Sequence, residues 1–215
     1  MLELGTKILL AYLLGSVSGS LLIGKLKGGV DIREMGSGNA GGTNALRTQG
    51  KMFAMGVMII DVGKGYVSAA LIPVLAIVGL AEDPALGREW LVMACASAAV
   101  IGHCYPFWHG FRGGKGAATL IGTLTFIQPV ILLPVILVWL MVVLLSGYVG
   151  LATIMAGFSA PVYLLLTGEI ANQPLMTLAV SMALFLIYTH RENIRRLKAG
   201  AEARVGQLAI FRRDS

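Results

Sequence analysis

Long, charge-poor apolar runs constrain this chain more than any other feature. They cover residues 8–23, 52–80, 91–104, 117–167 and 174–189. A helical crossing of a bilayer takes about 20 apolar residues, fewer where neighbours shield its ends. Only helices and closed barrels satisfy their backbone inside lipid. Barrel strands alternate apolar and polar residues, and the unbroken apolar run 130–145 does not. Charged residues make up 13% of the chain and hydrophobic ones 56%, against about 25% charged in an ordinary soluble domain. The expected fold is an all-α integral membrane protein, a polytopic helical bundle forming a single membrane domain over 1–215. Glu3 precedes the first run and Lys7 opens it, with no clear Ala-x-Ala site after it, so the run reads as a permanent span rather than a cleaved signal.

The connectors differ in charge. Lys25, Lys27, Arg33, Arg47 and Lys51 follow the first run, and Arg112 and Lys115 follow the third. Arg191, Arg195, Arg196, Lys198, Arg204, Arg212 and Arg213 lie in the C-terminal tail. The remaining connectors hold Glu82, Asp83 and Glu89 with Arg88 alone, and then Glu169. The positive-inside rule puts the basic segments in the cytoplasm, the N-terminus outside and the C-terminus inside. Between the Lys115 and Glu169 connectors the chain must then cross an odd number of times. The 117–167 run is too long for one crossing at about 1.5 Å per residue. Three short helices fit, with breaks near Gln128-Pro129 and Ser146-Gly147-Tyr148, for an expected seven transmembrane helices in all. Five is the fallback if part of this region is re-entrant. The basic residues border spans and face anionic head groups, which argues against nucleic acid as a partner. Cys95 and Cys104 share one apolar run without metal-ligand spacing and read as packing residues.

Four polar clusters interrupt this pattern. The first runs from Gly36 to Arg47, GSGNAGGTNALR. Its glycines let backbone N–H groups approach a ligand. Ser37, Asn39, Thr43 and Asn44 add hydrogen-bonding side chains, and Arg47 a planar cationic fork suited to phosphate. The second is Asp61 and Lys64 inside the second run. Charges are costly there and demand partners; an internal ion pair holding the bundle and direct substrate contact both account for them. The third, 102–116, ends in Gly113-Gly114-Lys115-Gly116 at the start of the next helix. This is an expected anion nest with a point charge, and not a Walker A loop, which needs Ser or Thr after the Lys. His103 reads as structural or supporting, His109 as interfacial. The fourth follows the last run. On a helix, His190, Asn193 and Arg196 would share one face, while Arg195, Lys198, Arg212 and Arg213 read as surface charge. No metal or cofactor is implied, and the expected ligand is a phosphate without ATP. A transporter or flippase remains as the rival class, kept open by Asp61 and Lys64, although the clusters gather on one side and no inverted repeat is visible.

The four motifs in this order resemble the bacterial acyl-phosphate:glycerol-3-phosphate acyltransferases over nearly the whole chain. The resemblance implies a seven-helix enzyme of the bacterial inner membrane. It would transfer a fatty acyl group from acyl phosphate to the 1-hydroxyl of glycerol 3-phosphate, giving lysophosphatidic acid and phosphate, the first step of phospholipid biosynthesis. It also implies a functional link to an enzyme that makes acyl phosphate. The family's functional residues fall on Ser37, Arg47, Lys115, His190 and Asn193. Asn39, Thr43, Asn44, Gly113, Gly114, Gly116 and Lys64 are the expected substrate contacts, and Glu202 falls on a supporting Glu. Gly42, Arg112 and Arg204 are mild departures from Ala, Lys and Lys. The cytoplasmic loops 25–51 and 105–116 and the tail 190–215 are expected to form the active-site face. His190 and a substrate phosphate are the two candidate proton acceptors.

Overall fold

A computed structural model describes residues 1–205 of the chain; Arg212, Arg213 and the end of the tail segment lie outside the described residues. The regular structure of the described residues is helical, with no strand. The helices are α1 (Leu2–Gly15), α2 (Gly19–Leu26), α3 (Gly42–Gln49), α4 (Lys51–Ala70) and α5 (Arg88–Cys104), followed by α6 (Ala117–Ile127), α7 (Leu132–Ser146), α8 (Val149–Leu166), α9 (Gln173–Thr189) and α10 (Arg191–Lys198). Short 3-10 turns occur at Ile32–Glu34, Phe107–His109, Pro129–Ile131 and Glu169–Ala171.

Four segments are long and apolar enough to cross a membrane: Lys51–Ala70, Arg88–His109, Pro129–Ser146 and Val149–Leu166. Two bent pairs pass the same test together, α1 with α2 at 44° and α9 with α10 at 55°, so the described residues hold four to six candidate spans. The 117–167 run divides at the two places its sequence marks. Pro129 has no N–H to continue α6. Gly147 ends α7 at φ 75, with its amide donating to Val143 O at 2.8 Å; this left-handed conformation is easy only without a Cβ.

The chain forms two compact units, Met1–Ile127 and the residues from Gln128 onward. In the first, α1 lies along α5 and α4 along α6, with α2 and α3 also packed on α4. Small residues set the helix spacing. A Cβ on Gly65 would come within 2.1 Å of Thr119 O, and one on Gly122 within 2.0 Å of Val62 O, so only glycine lets α4 and α6 approach this closely. Apolar association is weak in lipid, where such close van der Waals packing replaces it. Cys95 is fully buried with Ala11, Leu91 and Ala98 between α1 and α5, the packing role its sequence context implied. In the second unit α7 packs on α8, α8 on α9, and α10 against both α8 and α9.

Candidate active site

The first glycine-rich loop is folded around one side chain. Asn44, on the first turns of α3, is buried. Its Nδ2 donates to Ile32 O (2.9 Å), Met35 O (3.0 Å) and Asn39 O (3.0 Å), and its Oδ1 accepts from Ser37 N at 3.0 Å. Gly36 turns beside it at φ 59, and an added Cβ there would lie 2.3 Å from Asn44 Oδ1. Ser20 Oγ donates to Ala40 O at 2.8 Å and ties the loop to α2. Ile32 and Ala45 pack with Phe53, Ala54 and Val57. This core leaves Ser37, Thr43 and Arg47 exposed and Asn39 half-buried. Asn44 thus spends its amide on the loop's shape and presents Ser37 and Arg47 to the outside.

The second loop uses its glycines for a different reason from the expected nest. Gly113 N donates to Cys104 O and Gly114 N to His103 O, both at 3.1 Å. These amides close the loop back onto the end of α5. A Cβ on Gly113 would meet His103 O at 2.1 Å, and one on Gly114 would meet His103 Nε2 at 2.0 Å. Glycine is needed for contact with α5. Gly116 O accepts from Leu120 N at 2.8 Å and starts α6. Lys115, half-buried, therefore stands just before a helix N-terminus, where backbone dipoles favour an anion.

Beneath this loop lies the Asp61–Lys64 pair. Lys64 Nζ reaches Asp61 Oδ1 (3.0 Å), Val17 O (2.6 Å) and His103 Nδ1 (2.9 Å). Three acceptors match the three protons of an ammonium. Asp61 Oδ1 also accepts from Gly19 N at 3.1 Å. Val17 and Gly19 flank the break between α1 and α2, where backbone groups lose their helical partners. The lysine takes the freed carbonyl and the aspartate the freed amide. Of the two readings open from sequence, this geometry favours the internal ion pair. His103 joins the pair to Gly114.

In the second unit, α9 and α10 meet at His190. His190 and Asn193 are buried and Arg196 is half-buried, so the shared face is the inward one. Glu202 accepts from Asn193 Nδ2 and, at 2.6 Å, from Arg196 Nε, bracing the end of α10. His190 Nδ1 lies 2.8 Å from Leu186 O. A carbonyl only accepts, so Nδ1 is the donor in this bond, which fixes the orientation of the ring. Asn193 packs against Gly150, where a Cβ would come within 2.7 Å of its Nδ2. Arg204 Nε donates to Tyr148 OH at 2.8 Å, and its guanidinium lies 4.9 Å from the Tyr148 ring centroid. A planar fork does both; a lysine ammonium in its place would not stack in this way.

Two features escaped the sequence. Arg33, one basic residue among several, reaches from the first loop to the second. The helix break at 16–18 is what Asp61 and Lys64 serve; its signal was the Ser16-Val17-Ser18-Gly19 sequence within an otherwise apolar run. Among the described residues, no three His, Cys, Asp or Glu side chains gather as a metal cluster.

The all-helical fold, with several helices long and apolar enough to cross a membrane, points to the class of integral membrane proteins. Comparison with known proteins specifies the class. The family model described as glycerol-3-phosphate acyltransferase matches residues 6–200, and the chain belongs to that family. The glycerol-3-phosphate acyltransferase of Aquifex aeolicus is 40% identical over 197 residues, 92% of this chain and 96% of that one. That of Thioalkalivibrio sulfidiphilus is 41% identical over 207 residues, 96% of each chain. The crystal structure of PlsY (YgiH), an integral membrane glycerol 3-phosphate acyltransferase, in its glycerol 3-phosphate form matches with a TM-score of 0.80 at 37% identity, covering 95% of this chain and 96% of that one. The chain is an acyltransferase and an integral membrane protein, and the transporter reading gives way.

Proposed function

We propose that this enzyme transfers a fatty acyl group from acyl phosphate to the 1-hydroxyl of glycerol 3-phosphate, releasing lysophosphatidic acid and inorganic phosphate. The observation that carries the assignment of residues is the bracing of Ser37 and Arg47 by Asn44 in the same unit as Lys115 at the start of α6. Both substrates carry phosphate, and Arg47 on α3 and Lys115 just before α6 are two cationic positions in that unit. Arg47 and Lys115 hold the phosphates, and Ser37, Asn39 and Thr43 orient them. Lys115 and the first amides of α6 stabilise the departing phosphate and the developing oxyanion. Asn44, Lys64, Gly113 and Gly114 support these groups without touching substrate, and Gly116 opens the helix. His190 and Asn193 are retained as substrate contacts on the family resemblance.

Acyl phosphate is an activated mixed anhydride, so no covalent enzyme intermediate is needed. The acceptor hydroxyl attacks the acyl carbon, the acyl–phosphate bond breaks, and the hydroxyl proton passes to a phosphate oxygen. A second reading, with His190 as base, draws on the bond from Nδ1 to Leu186 O that holds the ring in one orientation where α9 meets α10. His190→Ala separates them: near-normal turnover at saturating glycerol 3-phosphate excludes His190 as base.

The chain crosses the bacterial inner membrane seven times, the short apolar helix α6 being added to the six candidate spans, with the N-terminus outside and both loops and α10 on the cytoplasmic side. It forms one membrane domain and draws its donor from an enzyme that makes acyl phosphate. Purified protein in lipid, given palmitoyl phosphate and glycerol 3-phosphate, is expected to release phosphate only when both are present, with matching lysophosphatidic acid. Lys115→Ala and Arg47→Ala are each expected to cut kcat by about 10²–10³-fold. Phosphate release that ignores the acceptor, or folded protein giving no product, overturns the proposal.

A further inference from the structure

Arg33 lies four residues before Ser37, yet its side chain is engaged elsewhere. Its Nε donates to Asp31 Oδ1 at 3.0 Å, and its NH2 to Asp31 Oδ2 at 2.7 Å. Its NH1 crosses to the second loop, donating to His109 O at 3.0 Å and Arg112 O at 3.2 Å. Four of the five guanidinium protons are engaged by these acceptors, and the Asp31 carboxylate balances the charge. Arg33 is therefore committed to a bracket and is not shaped as a phosphate ligand, although it stands among basic residues.

The bracket has consequences on both sides. Ile32, next to Arg33, gives its carbonyl to Asn44 Nδ2, and Asn44 lies one helical turn before Arg47 on α3. Arg112, on the other side, lies three residues before Lys115, in the loop that Gly113 and Gly114 pin to α5. Asn44, on the same short helix as Arg47, is thus hydrogen-bonded to Ile32, and the neighbouring Arg33 is hydrogen-bonded to the segment that leads to Lys115.

We propose that Arg33 is a positioning residue that sets the separation of the two anion-holding loops. This rests on the function proposed above, in which two anions must be held in reacting geometry. Misplacement by about 1 Å costs on the order of 10²-fold in such reactions. A bracket of this kind governs turnover and leaves each loop's own affinity in place.

The test has two arms. In steady-state kinetics, Arg33→Ala is expected to lower kcat about 10- to 100-fold, with KM for each substrate within about threefold of the parent. Arg33→Lys is expected to recover little, because a point ammonium does not span Asp31 and two carbonyls as a planar fork does. Unchanged kcat overturns the proposal. So does a raised KM at normal kcat, which would make Arg33 a phosphate ligand, and so does full recovery in Arg33→Lys. The second arm is independent of activity. Spin labels at Glu34→Cys and Phe107→Cys, exposed positions on the two loops, report the interloop distance by pulsed EPR, the native cysteines being buried. A narrow distribution that broadens in Arg33→Ala is expected; an unchanged one overturns the bracket. If Arg33→Ala does not fold, Asp31→Asn, which frees the guanidinium but keeps it, is expected to shift kcat and the distance distribution in the same sense, and no shift in either overturns the proposal. Parent protein without acyltransferase activity would defeat the proposed function while the distance arm still decides the bracket.

Discussion

The first unit contains two buried acid–base pairs built on the same plan. Lys7 and Glu3, one turn apart on α1, are joined at 2.9 Å. Lys7 Nζ donates to Pro73 O at 2.6 Å, and Glu3 Oε2 accepts from Asp83 N at 2.7 Å. Lys64 and Asp61, on α4, treat Val17 O and Gly19 N in the same way. Each pair places a lysine on a carbonyl and a carboxylate on an amide where the chain leaves regular helix. Water is scarce at such places in a membrane protein, and an internal pair satisfies both groups. The pairs differ in what else they touch. Glu3 adds Arg88, at the first residue of α5. Lys64 adds His103, near the last residue of α5 and against Gly114. Fifteen residues of α5 separate these contacts, about 22 Å at 1.5 Å per residue. One pair fastens an end of the unit remote from the glycine-rich loops; the other fastens the floor of a loop. The same chemistry thus ties α1 to α5 in one place and supports the second glycine-rich loop in the other.

The largest expected effect comes from Lys64→Met. It leaves Asp61 buried without its cation, a loss of about 3–5 kcal/mol for a broken buried pair. Thermal unfolding in detergent is expected to fall steeply, and the protein that survives is expected to have lost turnover. A variant with normal kcat would erase the distinction between the pairs. Lys7→Met should be milder and different in kind: a lower melting temperature, with specific activity per folded molecule unchanged. Loss of kcat in that variant would show that the remote pair also shapes the site. The smallest effect concerns pH. Arg33 beside Asp31 holds that carboxyl below its ordinary value of 3.8. A depressed folded pKa means that its stabilisation is complete above the ordinary value and is lost as pH falls through the lowered one. The interloop distance is therefore expected to stay narrow from neutral pH down to about 4 and to broaden only below it. Broadening between pH 7 and 5 would place its cause outside Asp31.

Much of the fold is legible in the sequence. The apolar runs announced helices, and Pro129 and Gly147 announced the breaks in the longest run, because both act through local backbone chemistry. Asp61 and Lys64 stood out because charge is rare in such surroundings. Glu3 and Lys7 did not, because charges at the edge of a run are ordinary; only the fold turns them inward, to 2% exposure each. Asn44 was noticed as a ligand type, and its actual work inside the loop was hidden. An amide side chain offers the same donors to a substrate as to a carbonyl.

The chain's composition and order of motifs by themselves determined that this is a helical membrane protein, where its helices break and which family it belongs to. These are properties of neighbouring residues, set by hydropathy, proline and glycine. The tertiary structure alone decided which polar groups meet. Arg33 and Arg112 are 79 residues apart in sequence, and Lys64 and Val17 are 47 apart. No local rule pairs them. They are brought together because α2 and α5 pack on α4, and a buried donor such as Lys64 has to take whatever acceptor that packing supplies.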